Sequence, residues 1–347
     1  MNFRVIQRRD LENARSPFRA IQDNGDEVEW VNRFLDQERI RSVAETSLRS
    51  YAYDLLHYLR WWAGVHRSSE ISEKALTESA LLDYIRFQTN HQPPPAAASV
   101  NRRIGIAERA LQLAFPQVQP PFLPGFQHRY WRPSPLGTGK PRPAISRPRV
   151  RTPKRVIIPL SADEVAQFWN SFHTSRDLAI VGLMLLDGLR SCEILALNRE
   201  DLLFSEAQIH VRGKGNKPRW LPLAPDTIQL LDHYLVLERP VNCGSPLFVT
   251  LKGRARGQRM TAAGLRSLFR HHRRVTDVSK ANPHRFRHTF ATDMLRGGIS
   301  LPALMHLMGH SKIQTTMVYV QITPQEVYQQ YARAVAQHIR CIPEAHS

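Results

Sequence analysis

The sequence predicts a two-domain, mainly α-helical protein whose second domain carries a small antiparallel β-sheet. Three observations predict it. The chain has 347 residues, 42% of them hydrophobic, which is enough for two domains with buried cores. Apolar side chains recur at helical spacing through residues 27–115 and again beyond residue 160. Between those later helices, Ile209–Val211 and Trp220–Leu223 read as strands joined by the turn Gly213-Lys214-Gly215-Asn216-Lys217.

Residues 1–25 are polar and without period, and read as an irregular, mobile arm. A four-helix bundle is expected over residues 26–115. Trp30, Phe34 and Leu35 mark its first helix. Tyr51, Leu55, Leu59 and Trp62 stripe a longer second helix, with Leu48, Leu56 and Trp61 beside the stripe. Leu81, Leu82 and Ile85 mark a third, broken by Pro93-Pro94-Pro95, and Val100, Ile104, Ala107 and Leu111 a fourth. Residues 116–159 hold eleven prolines and nine Lys or Arg, and no Asp or Glu occurs from Arg109 to Ala162. Proline keeps such a segment extended, and its bases attract phosphates. It reads as a basic linker lying along a nucleic-acid backbone, with Arg129, Arg132, Arg149 and Arg151 as candidate contacts, or more plainly as a charged spacer.

The second domain is expected over residues 160–338, followed by a tail at 339–347. Ser161 and Glu164 form a capping box for a helix over 162–172, followed by helix 176–187 and a turn at Gly188. A short helix starts near Ser191. After the hairpin come helix 226–238, a strand at Leu247–Val249, and helices near 261–272, 283–296, 301–308, 312–318 and 324–338.

Charge narrows the function. Lys and Arg number 48 against 30 Asp and Glu, a formal net charge of +18, and 40 of the 48 are Arg. The pI is about 10.5. Such a field attracts polyanions, nucleic acid first, and guanidinium grips two phosphate oxygens at once. The longest apolar run, Leu178–Leu186, is under half of the ~20 residues a membrane span needs. The start Met1-Asn2-Phe3-Arg4 lacks an apolar signal region. Cys192, Cys243 and Cys341 are too few and too scattered for a disulfide framework or a Cys-rich zinc site. A reducing cytoplasm fits.

Four segments carry chemistry. In Asn282-Pro283-His284-Arg285-Phe286-Arg287-His288, an N-cap and a proline open a helix whose first turn presents His284, with Arg287 on the same face. Free backbone N–H groups make such a helix start a phosphate site. In Gly188-Leu189-Arg190-Ser191-Cys192-Glu193, a lone arginine sits between apolar flanks with an acid three residues on that can hold its guanidinium. Lys214 stands at a hairpin tip, able to enter a groove. In the last segment, Gly309 through Tyr319, Ser311 caps a short helix, which places His310 at its mouth and Tyr319 near its end. A tyrosine whose proton is removed amid cations can attack phosphorus.

In order, the patterns G-L-R-x-x-E, G-K-G-x-K, P-H-x-x-R-H-T-F-A-T and G-H-S-x-x-x-T-T-x-x-Y resemble those of the tyrosine recombinase (phage integrase) family, nearest its Xer-like branch. The likeness runs from about Leu160 to Tyr319, and the preceding bundle resembles the family's SAM-like core-binding domain. The resemblance implies a C-shaped clamp around double-stranded DNA carrying inverted-repeat core sites. It implies that Tyr319 is a nucleophile forming a 3′-phosphotyrosyl bond, and that Arg190 and Arg287 hold the scissile phosphate. Lys214 protonates the leaving 5′ oxygen, His284 exchanges protons, His310 hydrogen-bonds the phosphate and Glu193 supports the site. Strands are then exchanged through a Holliday junction. The covalent bond conserves the energy of the broken one, so no metal, ATP or other cofactor is called for. His284 and His288 have the i, i+4 spacing of zinc ligands but no third ligand accompanies them.

Phe286, where leucine is usual, and Val320-Gln321, where Thr-His is common, depart from the Xer pattern. With the long basic linker they lean toward an integrase or transposon recombinase. Arg266 and Arg270 are candidate groove contacts on helix 261–272. Val327, Tyr331, Ala334 and Val335 stripe the last helix. In the family, a C-terminal segment docks on a neighbouring subunit, which implies self-association, a tetramer on two DNA sites. The competing readings are a type IB topoisomerase or hairpin-forming resolvase, a non-catalytic DNA-binding relic, and a purely architectural basic protein.

Overall fold

The computed structural model describes residues 2–8, 15–68, 70–71, 73, 76–116, 148–152, 158–213, 218–309 and 315–316. The chain forms two compact units, Met1–Lys154 and Arg155–Ser347, which divide inside the expected linker.

The first unit opens on a correction. Residues 1–25 are not an irregular arm: Phe3–Gln7 (β1) and Phe18–Gln22 (β2) pair antiparallel, Phe3 opposite Gln22 and Gln7 opposite Phe18. Although polar residues dominate this stretch, Phe3, Phe18 and Ala20 enter a core with Val31, Leu35, Leu48, Leu55 and Ile106. Arg60 pins β1, donating through Nε and Nη2 to the Phe3 carbonyl at 3.2 and 2.8 Å. Arg19 is buried on β2 because two carboxylates meet it: Nε donates to Glu27 at 3.1 Å and Nη1 to Asp36 at 2.7 Å.

The four expected helices follow as Glu29–Ile40 (α1), Glu45–His66 (α2), Glu78–Thr89 (α3) and Ala97–Ala114 (α4). The Thr77 hydroxyl caps α3, accepting from the Ala80 N–H. A second cluster packs Tyr58, Trp61, Trp62 and Tyr84 with Ile104 and Leu111. The Tyr58 and Tyr84 rings meet edge to face at 5.0 Å. On α4, Asn101 reads the backbone of the distal linker, donating to the Val150 carbonyl at 2.8 Å and accepting its N–H at 2.9 Å.

In the second unit the Ser161–Glu164 capping box forms as expected and starts Ala162–Trp169 (α5). Ser175–Leu185 (α6) and Ser191–Ala196 (α7) come next. The hairpin is Gln208–Arg212 (β4) and Pro218–Pro222 (β5), joined by a short unexpected strand, Leu202–Leu203 (β3), into an antiparallel sheet. Pro225–His233 (α8) ends earlier than expected, because Tyr234–Glu238 widens into a π-helical turn. There Tyr234 Oη donates to the Leu247 carbonyl at 3.0 Å, and the Glu238 carboxylate accepts the first N–H groups of α6 at 2.6 and 2.9 Å. The strand expected at Leu247–Val249 is instead a pair of single bridges, Asn198 with Pro246 and Val249 with Arg259.

Ala262–Thr276 (α9), Pro283–Arg296 (α10) and Leu301–Met308 (α11) complete the described helices. The core joins Phe168, Ile180, Leu183, Ile194, Ile209, Leu221, Leu231, Phe269 and Phe286. It thus fills the space between the sheet's inner face and the helices. Of the helix expected at 312–318 only Thr315 and Thr316 are described, and the helix expected at 324–338 lies outside the described residues. Among the described residues, no helix is long and apolar enough to cross a membrane.

Candidate active site

Three chain turns converge on one carboxylate. The first is the approach to α7. Gly188 has φ +68°, and a Cβ there would lie 2.3 Å from the Phe290 ring. Only glycine passes so close to α10 in that conformation. Arg190 then caps α7 in an unusual sense: its backbone N–H donates to Glu193 Oε2 at 2.9 Å, while its guanidinium Nη1 donates to Oε1 at 2.9 Å. The lone arginine between apolar flanks has the partner its sequence spacing implied.

The second turn is the start of α10. Asn282 accepts from the Arg285 N–H at 3.0 Å and Pro283 holds the first helical position. His284 is exposed on the first turn, whereas Arg287 one turn later is buried. Arg287 donates from Nη1 to the Gly188 carbonyl and from Nη2 to the Met308 carbonyl, and Nη1 lies 3.9 Å from Glu193 Oε2. The third turn ends α11. Gly309, at φ +58°, is its C-cap, and its carbonyl accepts from Arg190 Nη2 at 3.3 Å. Arg190 and Arg287 therefore come together from motifs 97 positions apart in the numbering, and the chain leading to His310 touches Arg190.

Sequence reasoning missed Arg219. It donates to Glu193 through Nη1 at 3.0 Å and Nη2 at 3.1 Å. Strand alternation was the available signal. Ile209, Val211 and Leu221 point into the core, and Arg219 stands opposite Val211 on that same face. A cation at an inward position requires an anion. Burial alone would raise the Glu193 carboxyl, but hydrogen bonds from Arg219 and from the Arg190 backbone, with the charges of both, hold it below the usual carboxylate range. Glu193 is thus a fixed anion among three guanidiniums, which gather positive charge at one point of the site. That is the electrostatics a phosphodiester in attack needs.

Lys214 lies outside the described residues, although β4 and β5 run to either side of it. His310, Tyr319, Arg129 and Arg132 also lie outside them. Arg149 and Arg151 are described and exposed, as are Arg266 and Arg270, which α9 turns outward while Leu265, Phe269 and His272 turn inward.

A phage integrase family model matches residues 159–326, the span that holds this cluster. The tyrosine recombinase XerD of Xanthomonas campestris pv. campestris is 28% identical over 342 residues, covering 94% of this chain and 96% of that protein. Residues 159–326 form a phage integrase domain, and the chain is a tyrosine recombinase. The recombinase shares its fold with the Tn1549 transposon integrase in complex with transposon right end DNA (TM-score 0.63, 18% identity, 88% of this chain and 98% of that one). It also shares it with the XerH site-specific recombinase bound to its difH substrate (TM-score 0.60, 19% identity, 87% and 84%). As a tyrosine recombinase it is a DNA breaking-and-rejoining enzyme that performs site-specific recombination.

The first unit of the recombinase carries a second cationic surface, also absent from the sequence expectations. A cavity of about 950 Å³ opens between α2 and α4, lined by Arg49, Tyr53, His57, Arg60, Arg102 and Arg103. Asp54 is its carboxylate, and Arg102 holds it at 2.8 and 3.0 Å. Burial, with Arg103, His91 and Arg60 nearby, pushes His57 down to about 4, so its ring is neutral at pH 7 and the surface's charge comes from arginine.

Proposed function

We propose that this recombinase cuts each DNA strand by attack of Tyr319 on the scissile phosphate, forming a 3′-phosphotyrosyl bond and freeing a 5′-hydroxyl. Arg190 and Arg287 hold the non-bridging oxygens, Lys214 gives the leaving oxygen its proton, and His284 and His310 serve proton transfer and phosphate binding. The free 5′-hydroxyl of the partner strand reverses the reaction and exchanges strands through a Holliday junction. The observation that carries this reading is the convergence of Arg190 and Arg287 around Glu193, beside the turn that leads into His310. Their paired guanidiniums match the two oxygens of a phosphodiester.

The DNA partner is a duplex with inverted-repeat core sites. The α2–α4 cavity, the outward face of α9 with Arg266 and Arg270, and Arg149 and Arg151 of the linker supply phosphate contacts. A tetramer on two sites, coupled by exchange of the C-terminal helix, completes the reaction, which takes place on DNA in the cytoplasm.

The test is covalent capture. The protein is incubated with fragmented source DNA carrying nicks, denatured, and DNA attached to protein is recovered and sequenced, with Tyr319→Phe alongside. Tyr319-dependent adducts at a short inverted-repeat site are expected. Adducts that persist in Tyr319→Phe would remove Tyr319 as nucleophile, and adducts scattered without sequence preference would replace recombination with topoisomerase-like cleavage.

A further inference from the structure

Arg219 belongs to none of the roles above, yet it touches two of the site's three turns, at Glu193 and at Gly309. Its side chain is 9% exposed and its guanidinium takes both oxygens of Glu193, at 3.0 and 3.1 Å. Glu193 in turn holds the Arg190 backbone and side chain, and lies 3.9 Å from Arg287. Gly309 presses on the other face of the Arg219 guanidinium: a Cβ at Gly309 would stand 2.8 Å from Cζ and from Nη1. Arg219 also belongs to β5, the strand that returns from the hairpin carrying Lys214.

We infer that Arg219 is a positioning residue of the recombinase. By taking both oxygens of Glu193 it sets the position of the carboxylate that holds Arg190 and stands beside Arg287, so that both guanidiniums keep the placement the scissile phosphate requires, and it packs against the Gly309 turn. The inference rests on the reading of Arg190 and Arg287 as phosphate ligands. Its physical content is competition. A buried carboxylate must be paired. Without Arg219, the cations nearest Glu193 are Arg190, already bonded to it, and Arg287 at 3.9 Å, and the vacated carboxylate edge draws both further onto it. Each guanidinium drawn fully onto Glu193 is one withdrawn from the substrate. Arg219 prevents this through the match of a planar fork to a carboxylate, which an ammonium cannot reproduce. Charge alone is therefore insufficient at position 219.

The experiment compares wild type, Arg219→Met, Arg219→Lys and the double variant Arg219→Met/Glu193→Gln on a nicked duplex bearing the site recovered by covalent capture. Arg219→Met is expected to bind this DNA within about threefold of wild type while its single-turnover cleavage rate at saturating DNA falls about 10²-fold, the scale of a misplaced catalytic geometry. Arg219→Lys recovers part of that loss. It also carries the test should Arg219→Met fail to fold, since it keeps the charge but not the fork. The double variant cleaves faster than Arg219→Met, because the amide no longer draws on the arginines. A merely structural role would give no such recovery.

Hydrogen exchange on the free protein supplies an arm that needs no substrate. Amides from Arg190 to Glu193 and at Gly309 exchange faster in Arg219→Met, while those of α6 keep their wild-type rates. Cleavage by Arg219→Met at the wild-type rate, or unchanged exchange at Arg190–Glu193, overturns the inference and leaves the recombinase chemistry standing. If wild type itself yields no Tyr319-dependent adduct, the phosphate reading falls, and the exchange rates still decide whether Arg219 holds the cluster.

Discussion

At the scale of single residues, the site's geometry sets what each side chain is worth. Arg287 donates to two carbonyls from different turns and stands near Glu193, so Arg287→Ala removes a cross-link and, in the proposed chemistry, an electrostatic stabiliser. Cleavage should slow by roughly 10²-fold or more with DNA affinity little changed, checked by single-turnover kinetics beside a binding titration. Near-normal cleavage would take Arg287 out of the site. Asp187, just before Gly188, offers a pH test. Its buried carboxylate accepts from the Ala224 N–H at 2.7 Å and the Thr227 hydroxyl at 2.8 Å, and burial, only partly offset by those bonds, pushes it up to about 6. Its folded-state pKa lies above the ordinary carboxylate value, so its contribution to stability is full below about pH 4 and is lost as pH rises through 6. The loss is on the order of 2–3 kcal/mol. Urea melts of wild type and Asp187→Asn from pH 4.5 to 7.5 should show the wild type losing ground to the variant as pH rises; a pH-independent difference would refute the assignment. Arg190, Glu193 and Arg287 were legible in the sequence because each sits at a helix start with a partner three positions away or a cap before it. Arg219 was not, because its partner lies on another element and only the in–out alternation of β5 betrays it.

At the scale of elements, five helix starts of the second unit were legible to within a residue, since they carry side-chain caps: Ser161, Thr174, Thr261, Asn282 and Ser300 each accept a backbone N–H of the first turn. What escaped were elements fixed by distant contacts. The π-helical turn at Tyr234–Glu238 is set by Leu247 and by the start of α6. The opening hairpin escaped because its apolar residues are few and hidden among charges whose partners, Glu27 and Asp36, lie beyond it. That hairpin makes a prediction. A chain begun at residue 26, where the sequence alone places the start of the bundle, would strip Phe3 and Phe18 from the core. Burying such a side chain contributes ~1.5–3 kcal/mol, so the truncated protein should melt several degrees lower and bind a hydrophobic dye. An unchanged melting temperature would show that β1 and β2 add nothing to the bundle. On the approach to α7, Gly188→Ala should destabilise by ~2 kcal/mol or more, through both the left-handed φ and the Phe290 contact, measured by the urea midpoint.

At the scale of the whole molecule, the net charge of +18 and the arginine surfaces on both units predict binding governed by counterion release. The affinity for duplex DNA should fall steeply between 50 and 200 mM salt, by a factor on the order of 10³ or more. Arg49→Ala in the α2–α4 cavity and Arg270→Ala on α9 should each lower the slope of log K against log salt by about 1. A slope unchanged by either substitution would place that residue off the DNA. The family and the order of its motifs were legible from the chain alone; the cavity was not, since Arg49, Arg60 and Arg103 are ordinary surface arginines until α2 and α4 set them around one hollow.

The cluster around Glu193 also has a consequence at the bench. One carboxylate among three guanidiniums is expected to attract small oxyanions before any DNA arrives. Inorganic phosphate and sulfate are then competitors rather than inert salts. Cleavage measured in phosphate buffer should run slower than in a monovalent buffer of equal ionic strength, and the difference should vanish in Arg287→Ala. A purification that ends in ammonium sulfate would deliver the enzyme already inhibited, and dialysis into chloride would restore it.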